Sequence, residues 1–108
     1  MNITVNLTCK NSSFHAEGIF SDAKHFIVLK GSIINIKATK GLVARKAIEY
    51  RDNREFVDET GLVINDCFFS SPSTAAQFVN GSSTNGYVAW KVGKKTLKNY
   101  LEELERGE

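Results

Sequence analysis

Three apolar runs near the N-terminus, two alternating and one continuous, constrain the fold most strongly. In ITVNLTC, residues 3–9, every second residue is apolar, which is the period of a half-buried strand. FHAEGIF, residues 14–20, follows across KNSS and predicts the second strand of a hairpin. HFIVLKGS, residues 25–32, has a continuous apolar centre that predicts a third strand buried on both faces. Together the runs predict an antiparallel three-stranded meander.

Later segments predict helices that cover this sheet. Between Gly41 and Phe56 the apolar residues recur at roughly helical spacing, and Thr96 is placed to cap a final helix in TLKNYLEELERGE. INIK either extends the sheet or leads out of it, since Gly31 interrupts the run. LVI and CFF, on either side of Asn65 and Asp66, predict a short bent strand or an irregular connector.

The stretch FFSSPSTAAQFVNGSSTNGYVAWK, residues 68–91, contains the chain's only proline and only tryptophan. Ser71 before Pro72 predicts an N-cap and the first helical position, and Asn80-Gly81 predicts a left-handed stop. Asn85-Gly86 is typical of a tight turn with positive φ, and YVAWKV after it alternates like a strand. The stretch therefore predicts a short helix, a turn and a strand.

These elements predict one α+β domain over residues 1–108. Its small antiparallel sheet comprises the N-terminal meander plus one or two later strands, and two to three helices pack against it. The chain is 42% apolar, which excludes a disordered protein. It contains no apolar run of about 18 residues and no signal peptide, so we expect a soluble cytoplasmic protein with no membrane partner.

The sequence contains no pattern typical of catalysis. His15 and His25 lack HxH or HExxH spacing, the serines near Pro72 lack a GxSxG elbow, and GKKT lacks the earlier glycine of a phosphate-binding loop. Cys9 and Cys67 lie far apart and belong to no CxxC motif or Cys/His cluster, which predicts core residues and neither zinc nor a disulfide. We therefore expect a protein that is not an enzyme and has no cofactor.

The positive charges are concentrated in two segments. From Ala23 to Ile48 there are six bases and no acid, and from Cys67 to Leu101 there are four bases and no acid. If the two segments meet in the fold, one face is positive, as expected for a surface that binds phosphate backbones. The alternative is that these bases are scattered over a solvated surface and keep the protein soluble.

Two further groups in residues 68–91 are candidate ligand contacts. Ser71 and Ser73 flank a helix start, which favours anions, although an ordinary capped helix explains the same residues. The rings of Phe68, Phe69, Tyr87 and Trp90 either stack on unpaired bases or fill the core, and we expect at least two of them in the core.

The order of these motifs resembles the family called domain of unknown function 4357. FHAEGIF, FIVLKGS, a central helix, SPS-x-AA, G-x-S-x-NG-aromatic and WK follow one another from about Phe14 to Leu97. The resemblance implies an accessory domain, commonly C-terminal, found with GIY-YIG nuclease-type or restriction-modification proteins. It is also similar to the restriction enzyme adenine methylase associated domain, for which DNA binding has been proposed. Two departures are Ser82, where members often have a base, and Tyr87, where they have tryptophan.

The sequence therefore predicts a non-catalytic accessory module that binds nucleic acid, DNA in particular, through a basic face and the start of the SPSTAA helix. The residues expected at this interface are Lys30, Ser71, Ser73, Asn85, Tyr87, Lys91, Lys94 and Lys95. The alternative is a protein-protein interaction or regulatory module that recruits a separately encoded partner.

Overall fold

The N-terminal alternation produces the central strands of the sheet. The computed structural model describes residues 2–8, 14–36, 44–82 and 84–107. Within them, six strands and four helices follow one another in this order: β1 Ile3–Thr8, β2 His15–Asp22, β3 His25–Val28, α1 Arg45–Asp52, β4 Cys67–Phe69, α2 Pro72–Asn80, α3 Gly86–Ala89, β5 Lys91–Val92, β6 Lys95–Thr96 and α4 Leu97–Glu105. The predicted α+β class is confirmed, with more strands than expected.

The predicted meander forms the middle of a six-stranded sheet. The strand order is β4-β3-β2-β1-β5-β6, and every neighbouring pair is antiparallel. β4 extends the sheet beyond β3, and the small β5–β6 hairpin extends it beyond β1. The later strands therefore add to both edges of the meander.

One face of this sheet is buried beneath the helices. The inward residues of β1 to β4 pair across the sheet in register and are almost fully buried: Ile3, Val5, Leu7, Ala16, Phe20, Phe26, Val28, Cys67 and Phe69. Trp90, Phe78, Val79 and Leu97 complete this core from the helical side. Because strand residues alternate between faces, the residues between them lie on the opposite, open face.

The third strand is shorter than predicted and is buried on one face. β3 ends at Val28, and Ile27 between the buried Phe26 and Val28 is only half-buried. Ile33, just before INIK, forms isolated bridges with His15 and Leu62, and residues 34–36 of INIK form no strand, while Lys37 lies outside the described residues. The continuous apolar centre of HFIVLKGS predicted a strand buried on both faces. A strand with one buried face and one partly covered face has the same apolar run, so the sequence does not distinguish the two arrangements.

The region after α2 differs from the predicted turn and strand. Gly86–Ala89 is a short helix, and Asn85, with φ −82°, caps it. Only Lys91 and Val92 of YVAWKV are in a strand. The same Asn-Gly pair suits a helix start because the asparagine side chain accepts a backbone N–H in either setting. The segment 41–43 of the predicted central helix lies outside the described residues.

Candidate nucleic-acid interface

The starts of α2 and α3 are joined by two hydrogen bonds and one close backbone contact, and a third hydrogen bond caps α3. The Ser73 hydroxyl accepts the backbone N–H of Gly86 at 2.9 Å, and the indole Nε1 of Trp90 donates to the carbonyl oxygen of Pro72 at 3.0 Å. The Asn85 side chain accepts the N–H of Tyr87 at 3.0 Å. A Cβ on Gly86 would lie 2.2 Å from the carbonyl carbon and oxygen of Pro72. Only glycine allows this approach.

The start of α2 is consequently occupied by contacts within the protein. The Ser71 hydroxyl accepts the N–H of Thr74 at 3.1 Å and donates to its hydroxyl at 2.9 Å, which confirms the predicted N-cap. Pro72 has no N–H, and the backbone of Gly86 lies beside the N–H of Ser73. The Ser73 hydroxyl, a predicted phosphate contact, accepts the N–H of Gly86 and so holds α3 in place. Ser71, Ser73 and Asn85 therefore have structural roles.

The four aromatic residues of this stretch separate into core and surface. Trp90 and Phe69 are 0% and 4% exposed, which confirms that at least two of the four lie in the core. Trp90 packs against Phe26 with ring centroids 4.8 Å apart. Tyr87 is half-buried, with its ring edge-on to Phe20 at 6.4 Å. Phe68, on the open face, is 57% exposed.

The candidate lysines of the β5–β6 hairpin lie on different sides of the sheet. Lys91 pairs with Asn6 of β1 between the inward Trp90 and Val92, so its side chain is on the open face, where Nζ also donates to the Val88 carbonyl at 3.0 Å. Lys95 pairs with Val92 and forms an ion pair with Glu103 of α4. Lys94 is exposed in the turn. Of the three candidate lysines in this hairpin, Lys91 and Lys94 therefore lie on or beside the open face.

Lys30 lies far from the start of α2. Val28 pairs with Cys67 and Phe26 pairs with Phe69, so β4 runs away from the Lys30 end of the sheet toward the end where α2 begins. The backbone N–H of Lys30 donates to the Asp66 carboxylate at 2.9 Å, while its side chain is exposed. The eight predicted contact residues thus do not form one cluster.

Charge is unevenly distributed between the open face and the remaining surface. Four lysines lie on the open face or at its margins, and we call Lys24, Lys30, Lys91 and Lys94 the open-face lysines. Apart from Glu17 and Asp22, every acidic residue that the structure describes is on α1, on α4 or in the connector of residues 53–66. Arg45 and Lys46 of the first basic segment belong to α1, and Lys98 belongs to α4. The two basic segments meet only in part.

An apolar row crosses the open face and ends in a shallow recess. Thr4, Ile19, Ile27 and Phe68 are consecutive cross-strand partners in β1 to β4. A recess of about 310 Å³ at the β4 end is lined by Ser21, His25, Phe26, Ile27, Phe68 and Phe69. From the sequence, the ring of Phe68 could lie either in the core or on the surface. Alternation in CFF, between two inward residues, is the signal that could have located its ring outside.

A second recess of about 210 Å³ lies at the Lys30 end of the same face. It is lined by His15, Glu17, Lys30, Gly31 and Ser32. The His15 Nδ1 is 2.7 Å from the Thr8 hydroxyl, and the buried Ser32 hydroxyl accepts the N–H of Glu17 at 3.1 Å. The recess therefore combines two basic side chains with one carboxylate.

Hydrogen bonds and burial change the acidity of two groups near the sheet. His25 Nδ1 lies 2.8 Å from the carboxylate of Asp22, and this hydrogen bond lowers the pKa of Asp22. Burial raises the pKa of the Cys67 thiol to about 12, with a smaller contribution from the charge of Asp66. Cys67 is thus a neutral core residue at physiological pH, as its sequence context predicted. Among the described residues, no group of three or more His, Cys, Asp or Glu side chains is arranged to hold a metal ion.

Comparison with protein families identifies the chain. A family model with the description Domain of unknown function (DUF4357) matches residues 7–101. The chain belongs to this family. The match begins in β1 and ends in α4, so the DUF4357 domain includes both the α2–α3 junction and the strands of the open face. No curated protein and no solved structure matches the chain significantly. None of the helices described in the DUF4357 domain is long and apolar enough to cross a membrane.

Proposed function

We propose that this DUF4357 domain is a non-catalytic accessory module that binds nucleic acid, DNA in particular, on the open face of its sheet. The observation that carries the proposal is the distribution of charge: the open-face lysines lie on or beside the open face, where the described strands carry two acids, Glu17 and Asp22, whereas the other described acids lie on the helices and the 53–66 connector. Positively charged side chains that neutralise phosphates release counterions, which supplies most of the sequence-independent affinity for nucleic acid.

The dimensions of the face suit several phosphate contacts. Six neighbouring strands at about 4.8 Å spacing give a surface about 24 Å wide. Lys91 and Lys94 lie toward one edge of this surface, and Lys24 and Lys30 lie at the two ends of β3 nearer the other edge. Lysines distributed in this way contact the backbone at separate points, which favours binding that is strong at low salt and only weakly dependent on sequence.

The resemblance described above supports a role beside an enzyme that acts on DNA. Domains of this family resemble accessory domains found with GIY-YIG nuclease-type and restriction-modification proteins. We propose that the module adds affinity for DNA to such a partner and contributes no catalytic group.

The test is the salt dependence of oligonucleotide binding. A labelled duplex is titrated into the domain at several salt concentrations, and a triple variant, Lys30→Gln, Lys91→Gln and Lys94→Gln, is compared with the wild type. We expect the log–log salt slope to fall by about 2.7, because each lost phosphate contact removes about 0.9. No binding of the wild type at low salt would refute the proposal.

A matched control removes three positive charges from the helical side. The variant Arg45→Gln, Lys46→Gln and Lys98→Gln has the same net charge as the open-face variant. We expect it to retain the wild-type salt slope. Equal losses in the two variants would show that net charge, and not the open face, determines binding.

A protein-interaction module is the second candidate function. It is favoured by the exposed apolar residues Ile33 and Leu62, which are bridged side by side and are 45% and 36% exposed. Affinity capture after nuclease treatment tests it with the variant Ile33→Ser and Leu62→Ser. A partner that is retained by the wild type without nucleic acid, and lost with this variant, would support the second candidate.

A further inference from the structure

We propose that the recess beside Phe68 binds an unpaired nucleobase, so that the module prefers single-stranded to duplex nucleic acid. This inference rests on the proposed function and adds the kind of strand that is bound. Base stacking on an aromatic side chain requires a ring that is exposed, held rigidly and free of carboxylates at its edge. The surroundings of Phe68 meet these three requirements.

The ring of Phe68 is exposed on a rigid element. Its neighbours Cys67 and Phe69 are buried in the core, at 0% and 4% exposure. Its backbone is fixed on both sides, by pairing with Ile27 of β3 and by donation of its N–H to the Tyr50 hydroxyl at 3.1 Å. The ring therefore adds little to the core although its backbone is fixed. It continues the apolar row of Ile19 and Ile27 on the open face, and contiguous apolar surface is typical of binding sites.

The recess has an apolar floor and a polar rim. Ile27 and the ring of Phe68 supply the apolar side chains on this face, since the rings of Phe26 and Phe69 point into the core, and Ser21 and His25 supply the polar groups. Among the lining residues there is no carboxylate, and the nearby Asp22 is engaged by His25 Nδ1 at 2.8 Å. A flat ligand with a π face and hydrogen-bonding edges matches this lining. A base in a duplex has both its face and its edge occupied, whereas an unpaired base has them free.

Charge on the same face is complementary to a strand that places a base in the recess. Lys24 directly precedes His25 in the β2–β3 turn and is exposed. Lys91 lies on the same face four strands from Phe68, about 19 Å at ordinary strand spacing. The backbone of a short single strand that crosses the sheet from the stacked base can therefore contact lysines on the same face. This complementarity favours a nucleic acid over a second apolar surface.

The experiment compares oligonucleotides of one sequence in single-stranded and duplex form. Wild type, Phe68→Ala, Phe68→Leu and Phe68→Trp are titrated with each form at low salt. We expect Phe68→Ala to weaken single-strand binding about tenfold or more, as removal of a stacking ring does elsewhere. Duplex binding should change by less than about twofold, since duplex contacts are made to phosphates.

The remaining variants separate stacking from general apolar contact. Phe68→Leu keeps an apolar side chain without a π face and should bind single strands nearly as weakly as Phe68→Ala. Phe68→Trp keeps a π face and should bind single strands as tightly as wild type. The fluorescence of its new indole should be quenched by the bound base, while the fluorescence of Trp90, buried at 0% exposure, should change little. Val88→Ala, at a residue 48% exposed on α3, serves as a control for loss of an exposed apolar group and should leave both affinities unchanged.

Each contrary outcome has a distinct meaning. If duplex binds and Phe68→Ala leaves single-strand binding unchanged, the base-binding inference fails and the proposed function stands. If neither form binds the wild type, both fail. If Phe68→Leu binds single strands as tightly as wild type, stacking is refuted. If sedimentation without nucleic acid shows self-association that Phe68→Ala abolishes, the recess is a protein interface and the inference is wrong.

Discussion

At Gly86 the absence of a side chain is what allows α2 and α3 to meet. The Pro72 carbonyl group that would collide with a Cβ at 2.2 Å is also the acceptor for the Trp90 indole. The Gly86 N–H in turn donates to Ser73. Proline, serine, glycine and tryptophan from two separate motifs are thus parts of one junction, which explains their spacing without reference to a ligand.

Gly86→Ala is expected to destabilise the fold by about 3 kcal/mol or more, because two backbones must separate to admit the methyl group. Urea denaturation measures the change. Gly93→Ala is the control: its φ of +65° strains an alanine, but no atom lies within 4 Å of the new Cβ. A loss of only about 1 to 2 kcal/mol is expected there. Similar losses at both positions would contradict the packing argument.

Ser73→Ala is expected to cost about 1 to 3 kcal/mol, because the Gly86 N–H then lacks its acceptor. Ser70→Ala, at an exposed position, should be within about 0.5 kcal/mol of wild type. Thermal and urea unfolding of the pair provide the measurement. If Ser73→Ala were instead as stable as wild type and selectively weakened nucleic-acid binding, the serine would be a ligand contact after all.

Residues with local structural roles could be predicted from the sequence, whereas a residue with a long-range role could not. Ser71, Gly81 and Thr96 were predicted correctly as helix ends, because each satisfies a neighbouring backbone group within four residues. Gly86 was predicted wrongly as a turn residue with positive φ. Its requirement arises from Pro72, 14 positions earlier, and no local pattern indicates a contact at that distance.

At the level of elements, strands with strict alternation were predictable and the two-residue strands were not. β1 and β2 have six and eight residues, enough for the period to be visible. β5 and β6 have two residues each, and they exist because β1 offers an edge for Lys91. The candidate interface shares this difficulty, since the side of the sheet on which each lysine lies follows from pairing and not from its neighbours in sequence.

The turn before the Leu62 and Val63 bridges depends on one carboxylate. Asp58 accepts the Thr60 hydroxyl at 2.6 Å and the backbone N–H groups of Thr60 and Leu62 at 2.8 Å and 3.0 Å. The Thr60 hydroxyl has the largest effect, and together these donors lower the pKa of Asp58 below 3.8. Because the folded pKa is the lower one, this carboxylate stabilises the fold above pH 3.8.

Asp58→Asn should therefore be less stable than wild type at pH 7. The difference should shrink as the pH falls below 3.8 and through the lower folded pKa, since wild-type Asp58 is then protonated as well. Urea denaturation across this range is the measurement. Glu59→Gln, at the exposed next residue, should differ from wild type by an amount that hardly changes with pH. A constant difference for Asp58→Asn would contradict the assigned hydrogen bonds.

At the scale of the whole molecule, the meander of β1 to β3 lies between the two edges of the sheet and connects them. β4 and the β5–β6 hairpin come from the second half of the chain and add to opposite edges of the N-terminal strands. The helices between them cover the same face. Loosening the core anywhere should consequently expose Cys67 on β4.

Cys67 gives a direct measure of this global opening. In a Cys9→Ser background, where Cys67 carries the single thiol, alkylation at neutral pH should be slow, because the thiol is buried and its pKa is about 12. The rate should rise with urea, and adding Gly86→Ala should raise it further by the factor that the lost stability predicts. Fast alkylation without denaturant would show that β4 opens separately from the rest of the sheet.

The bond between the Phe68 N–H and the Tyr50 hydroxyl has one more consequence, for aggregation. β4 is an edge strand that ends in two aromatic residues, a composition that favours pairing with strands of other molecules. Tyr50 occupies an amide on the outer side of this strand, and α1 flanks it. Tyr50→Phe would free that amide while keeping the ring. Such a domain should keep its fold at low concentration and form β-rich oligomers more readily as the concentration rises.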